Sequence, residues 1–110
     1  MQIKIDHPTK DKAVLYPIGR MDVESSPGVR QTILDMVDQN INTVVVDLSQ
    51  VEFMDSSGLS ALVSGMKALR RKEGKLNICN ANAQIRTALR LTMLDRVLPV
   101  FDSLDEALNS

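Results

Sequence analysis

Apolar and polar positions change their period several times along the chain. Residues 2–6 (QIKID) alternate, which predicts a short half-exposed strand. After a turn at 8–12, Ala13-Val14-Leu15-Tyr16-Pro17-Ile18-Gly19 predicts a second strand, and the two would form a hairpin. Pro17 lacks a ladder donor and therefore suits an edge or a bulge. Residues 25–39 take a helical period, with Val29, Ile33, Met36 and Val37 on one stripe. Ser25 or Ser26 can cap this helix, and Pro27 suits its first position, where a missing N–H costs nothing. Asn40-Ile41-Asn42 ends it. Thr43–Leu48 is β-branched and almost continuously apolar, as expected of a central strand covered on both faces. Val45 and Val46 point to opposite faces of it, so both should be buried.

A second helix opens at Ser56 or Ser57, with Leu59, Leu62, Val63, Met66 and Leu69 as its core face. Ser60, Ser64, Lys67 and Arg71 fall on another face, towards solvent or a partner. Gly74 reads as the residue that closes this helix, and Arg70, Arg71 and Lys72 complement the dipole in its last turn. Lys75–Asn80 predicts a strand, and Ala83–Leu91 a helix anchored by Ile85 and Leu89. Residues 99–101 predict a short strand. Ser103 and Glu106 have capping-box spacing and open a last helix. Strands alternating with helices demand right-handed crossovers and a mostly parallel α/β sheet, whose first strand or two can run antiparallel. A single domain over residues 1–110 is expected.

Composition narrows the function. Thirteen Lys and Arg against fourteen Asp and Glu give a net charge of −1, which argues against a DNA-binding domain. One Tyr, two Phe and no Trp cannot make a stacking platform for single strands, so no nucleic acid partner is expected. No run approaches the ~20 apolar residues of a membrane span. The first residues, MQIKIDHPTKDK, lack the apolar centre of a signal peptide, so a cytoplasmic protein is expected. The lone Cys79 sits in an apolar run and reads as a small buried hydrophobe rather than a reactive thiol. His7, beside Pro8, reads as an exposed loop residue. These two alone cannot build a four-ligand Cys/His zinc site, and neither metal nor cofactor is expected. Asp22, Asp47 and Asp55 could suggest an acidic metal cluster, but Asp47 lies inside an apolar strand and Asp22 follows a different one. A phosphate-cradling Gly-rich loop is missing. A serine hydrolase would need a G-x-S-x-G elbow and a histidine partner, so the chain is not expected to be an enzyme.

The most informative stretch runs from Asp47 to Leu59, where a buried strand ends, a loop turns, and Asp55-Ser56-Ser57-Gly58 opens a helix. Working loops of open α/β sheets lie at the carboxyl ends of strands. A helix N-terminus stabilises an anion, so the fold would tolerate a phosphate on Ser56, which adds roughly −1.5 to −2 charge. Alternatively Asp55, Ser56 or Ser57 merely caps the helix, a role worth ~1 kcal/mol. The residues alone leave both readings open.

Phe53-Met54-Asp55-Ser56-Ser57-Gly58-Leu59, preceded by Val44-Val45-Val46-Asp47-Leu48-Ser49, resembles the STAS domain of bacterial anti-sigma factor antagonists. Gly19-Arg20-Met21-Asp22, Gly74-Lys75-Leu76 and Leu91-Thr92-Met93-Leu94-Asp95-Arg96-Val97 keep the family's order, so the resemblance spans almost the whole chain. It implies the STAS fold: a mostly parallel sheet of about five strands with an antiparallel N-terminal strand, covered by about four helices. It also implies a partner switch. The unmodified antagonist binds an anti-sigma factor that is a serine kinase and frees the kinase's target. Phosphorylation at the position of Ser56 releases the complex, and a serine phosphatase resets it. Asp22, Asp55, Ser57 and Gly58 match the loops around the acceptor. Ser60, Ser64, Lys67 and Arg71 are expected to complete the partner-binding surface. Two departures stand out. Met93 replaces the family's usual Gly, and Ser26-Pro27 replaces an Ala-containing helix start, so the first helix would begin later and the contacts near Asp22 would differ. The alternative is an adaptor STAS subunit that is not phosphorylated, as in a lipid transporter.

Overall fold

In the computed structural model, which describes residues 1–110, strands β1 (Gln2–Thr9) and β2 (Lys12–Met21) form the expected antiparallel hairpin. The elements that follow are α1 (Ser26–Asp38), β3 (Thr43–Asp47), β4 (Val51–Met54), α2 (Ser56–Arg71), β5 (Lys75–Cys79), α3 (Ala83–Leu91), a 3-10 turn (Leu94–Arg96), β6 (Val100–Phe101) and α4 (Leu104–Leu108). Sheet order is β1-β2-β3-β5-β6, and every pairing after the hairpin is parallel. β1 runs further than its alternating residues suggest, so His7 lies on an exposed edge strand and not in a loop.

The sixth strand, β4, lies in what the sequence reads as a loop. It pairs with β2 beyond the point where β3 stops: Lys12–Leu15 face β3, and Gly19–Met21 face β4. Pro17 falls between these two registers, where its missing N–H leaves no parallel ladder bond unmade. Gly19, at φ +108, takes up the bulge that restarts the register, and its N–H donates to the Gln50 carbonyl at 2.9 Å. β4 is four residues long and no Gly or Pro precedes it, so periodicity alone could not find it.

Period-2 alternation sorts the central strands onto two unequal faces. Val44 and Val46 join Ala13, Leu15, Leu76 and Ile78 beneath α1, α2 and α3, in one large core. Val45 joins Val14 and Cys79 on the other face, where only Ala107 and its neighbours on α4 cover them. Both valines are fully buried, as expected. The predicted anchors Leu59, Leu62, Met66, Leu69, Ile85 and Leu89 are buried, and Val63 is half-buried. A five-residue helix cannot hold itself together, and α4 is tied down from outside. Lys12 Nζ donates to the Leu108 carbonyl at 2.7 Å and Asn77 Nδ2 to that of Ala107 at 2.8 Å, while the helix's own N-cap, Ser103 Oγ, accepts from the Glu106 N–H.

Two helix ends differ from expectation. Ser25 occupies the N-cap of α1, but its helical backbone keeps the hydroxyl from capping, and α1 begins at Ser26 despite Pro27. At the end of α2 the left-handed residue is Glu73 (φ +60), not Gly74. Gly74 is needed for space: a Cβ there would lie 2.6 Å from the Asn42 carbonyl oxygen, which accepts the Lys75 N–H at 2.8 Å. After α3, Met93 is itself left-handed at φ +61, with an exposed side chain, at the position where the resemblance expects glycine.

Burial beneath α4, reinforced by the nearby Asp47 carboxylate, pushes the Cys79 thiol from 9.0 up to about 12. The folded protein thus favours the neutral thiol more than the unfolded chain does. That contribution is complete below about pH 9 and is lost as pH rises towards 12. Urea denaturation should show the stability gap between wild type and Cys79→Ala narrowing from pH 8 to pH 10.5. An unchanged gap would refute this origin of alkaline sensitivity.

Candidate functional site

Parallel pairing of β2 with β4 aligns Met21 with Met54, so Asp22 and Asp55 leave the same edge of the sheet on adjacent loops. The Asp55 N–H donates to the Met21 carbonyl at 3.2 Å, locking the two exits together. Asp55 is the N-cap of α2, with an extended backbone. Its Oδ1 accepts the N–H groups of Ser57 at 2.8 Å and Gly58 at 3.3 Å. Capping therefore belongs to Asp55. Ser56, the first helical residue, is exposed, and its hydroxyl makes no hydrogen bond within the protein. Ser57 is half-buried behind it.

Asp22 organises the neighbouring loop. Its Oδ1 accepts the N–H groups of Glu24 at 3.1 Å and Ser25 at 3.2 Å, and its carbonyl accepts that of Ser26 at 2.8 Å. Ser25 Oγ turns back, donating to the Arg20 carbonyl and accepting the Asp22 N–H. The Ser25 N–H is the main reason that the Asp22 carboxyl titrates below its usual range. Asp47, the third candidate carboxylate, is buried, and accepts from the Ser49 N–H and from Asn80. Each of the three carboxylates thus serves the backbone of its own loop.

Gly58 is buried and contributes space. A Cβ on it would lie 2.6 Å from Met54 Cγ and 2.9 Å from the Met21 carbonyl oxygen, so only glycine lets α2 start this close to β2. Ser60, Lys67 and Arg71 are exposed and Ser64 is half-buried, in line along α2 below Ser56. Neither Lys67 nor Arg71 is paired; the chain's one ion pair joins Arg86 to Asp102 at 2.7 Å. A shallow groove of about 460 Å³ runs from Ser56 past Leu59 and Val63 to Thr92 and Leu94. His7 lies near the Lys12–Val14 end of β2, opposite the end that carries Asp22.

Sequence reasoning missed Asn82 and Gln84. β4 has no strand on its outer edge, and these side chains take the place of one. Gln84 accepts the Met54 N–H at 3.0 Å and donates to the Met54 carbonyl at 2.9 Å. Asn82 donates to the Glu52 carbonyl at 3.1 Å. Arg20 lies over the Phe53 ring at 4.3 Å and closes β4 against β2. Asn82 does carry a local signal, as an N-cap before α3 whose Oδ1 accepts the Ile85 N–H, but nothing local marks its reach to β4. Together they hold the strand immediately before Asp55 and Ser56. The arrangement offers a free hydroxyl on a rigid, exposed helix start.

Residues 3–107 match the family model of the STAS domain. The chain is 26% identical over 104 residues to an anti-sigma F factor antagonist of Paenibacillus polymyxa, covering 94% of this chain and 88% of that one. It is similar to the crystal structure of an anti-sigma factor antagonist from Mycobacterium paratuberculosis, with a TM-score of 0.87, 29% identity and coverage of 98% and 91%. It also shares its fold with the Bacillus cell fate determinant SpoIIAA in the phosphorylated form, at a TM-score of 0.77, 20% identity and coverage of 98% and 97%.

Proposed function

This chain belongs to the STAS-domain family, and on that premise we propose that it is a single-domain anti-sigma factor antagonist working as a phosphorylation-controlled partner switch. Unphosphorylated, it binds an anti-sigma serine kinase and frees the kinase's target. The kinase phosphorylates Ser56, the complex separates, and a serine phosphatase restores the free hydroxyl. The chain is a binding partner and phosphate acceptor, and does no chemistry of its own. One observation carries this reading: the Ser56 hydroxyl is exposed and unpartnered because Asp55 does the capping. A serine serving as the cap would instead have its hydroxyl engaged by the N–H groups of the first turn. Phosphoryl transfer depends mainly on positioning and electrostatics, so an acceptor need supply only an accessible hydroxyl and a docking surface.

That surface comprises Asp22 and Asp55 with Ser57 at the loop, Ser60, Ser64, Lys67 and Arg71 down α2, and Gly58 as the residue that seats the helix. Intact mass of the protein taken from cells tests the reading directly. One added phosphate should appear, absent from Ser56→Ala and removed by a serine phosphatase. An unphosphorylated protein in every growth condition would favour the adaptor. Charge reversal at Lys67 or Arg71 should weaken kinase binding about tenfold while shifting stability by less than about 0.5 kcal/mol. Titration of purified kinase into each variant measures the first and thermal melting the second. Unchanged affinity in both would move the interface elsewhere.

A further inference from the structure

We infer that β1 is a self-pairing edge, through which two copies of the chain join antiparallel along Ile3–His7 and continue one sheet across both. β1 is the outermost strand, pairs only with β2, and is exposed along almost its whole length. Such an edge is a template for a further strand. Which of its backbone groups are free follows from β2. The Asp11 carbonyl accepts from Asn42 and Thr43, and the Gly19 N–H donates to Gln50, so odd-numbered residues along β2 turn towards β3 and β4. The even-numbered ones therefore bond to β1, where Ile18, Tyr16 and Val14 stand opposite Gln2, Lys4 and Asp6. Ile3 and Ile5 are left with N–H and C=O groups directed outward. Ile5 also keeps a large apolar side chain 49% exposed.

Charge selects the occupant and the register. Outward groups meet antiparallel only odd residue to odd residue, which leaves three registers centred within Lys4–Asp6. Pairing Ile3 with Ile5 sets Lys4 against Lys4 of the second copy, and pairing Ile5 with His7 sets Asp6 against Asp6. Pairing Ile5 with Ile5 instead sets Lys4 against Asp6, twice. Like charges directly opposite are destabilising and opposite charges favourable, so the third register is the one selected. Its two Lys4–Asp6 pairs fall at non-hydrogen-bonded positions, where Cα atoms approach to about 4.5 Å and side chains lie closest. Neither residue has an ion-pair partner within its own chain. On the other face of the strand, the two Ile5 side chains cover each other at the two-fold axis. An isologous contact of this kind closes at two copies. The irregularity between Asp6 and Thr9, which contains Pro8, stops the ladder after His7. No residue of the proposed kinase surface belongs to β1, so the pairing is independent of Ser56.

A short pairing with one central apolar contact belongs to the weak class of interfaces, those burying less than about 1,200 Å². Sedimentation equilibrium of the whole chain should therefore show monomer and dimer exchanging between about 10 μM and 1 mM. Asp6→Lys turns both cross-strand pairs into like positive charges, and Lys4→Asp turns both into like negative ones. Each variant alone should self-associate about tenfold more weakly or worse. Both positions are exposed, so each variant should melt close to wild type. An equimolar mixture of the two variants should dimerise like wild type, because opposite charges then face each other in both pairs. The double reversal, Lys4→Asp with Asp6→Lys in one chain, should do the same. A monomer throughout the concentration range overturns the inference. So does a dimer that is indifferent to both single reversals, or one that mixing fails to restore.

Discussion

Ser56→Asp is expected to bind the anti-sigma kinase at least about 10²-fold more weakly than wild type while melting at nearly the same temperature. Two opposite electrostatic consequences of one charge produce this separation. Within the chain, a carboxylate at the first residue of α2 faces the positive end of the helix dipole, which stabilises it by about 0.3–1 kcal/mol. Ser56 is exposed and bonds to nothing, so no native contact is lost. Across the proposed interface, the same carboxylate would meet a kinase surface formed around a neutral hydroxyl and a bound nucleotide. Like-charge juxtaposition there costs several kcal/mol. Ser56→Ala should bind the kinase and accept no phosphate. Ser57→Ala should still accept it, because the Ser57 backbone N–H, not its hydroxyl, holds the Asp55 cap. Incubation with purified kinase and labelled ATP separates the cases. Label on Ser56→Ala, or none on Ser57→Ala, would refute the assignment.

Gly58→Ala is expected to lower stability by about 1–3 kcal/mol, whereas Gly28→Ala should raise it by up to about 1 kcal/mol. Both glycines lie in the first turn of a helix, so alanine's intrinsic advantage is similar at the two sites. Sterics reverse the sign at one of them. A Cβ on Gly28 meets nothing within 4 Å, but one on Gly58 lies 2.6 Å from Met54 Cγ and 2.9 Å from the Met21 carbonyl oxygen. Met54 is 1% exposed and cannot swing away. The Met21 carbonyl is backbone and accepts the Asp55 N–H, so moving it loosens the junction of β2, β4 and α2. Urea denaturation of the two variants measures the contrast. At Gly58 the loss should also reduce phosphate acceptance at Ser56, two residues away.

Periodicity is enough to locate the helices and central strands, because each has a long period or a long apolar run that packing then obeys. Val29, Ile33, Met36 and Val37 are buried on one stripe, and Val45 and Val46 on opposite faces of β3. The Asp-Ser-Ser-Gly segment is also legible as a candidate site, through composition, position and family resemblance. Which of its residues caps is set by packing between segments. Three capping-type side chains in a row are locally equivalent, and the choice of Asp55 depends on its extended backbone, with its N–H held by Met21 of a neighbouring strand. β4 was hidden for a related reason. Its four residues are a strand because distant partners complete its ladder: β2 on one edge, and the side chains of Asn82 and Gln84 on the other. Gly58 and Gly74 likewise owe their identity to atoms far away in sequence, Met21 and Asn42. Periodicity reports what a segment buries. Contacts between segments, which no local pattern encodes, decide where the Ser56 hydroxyl is left free.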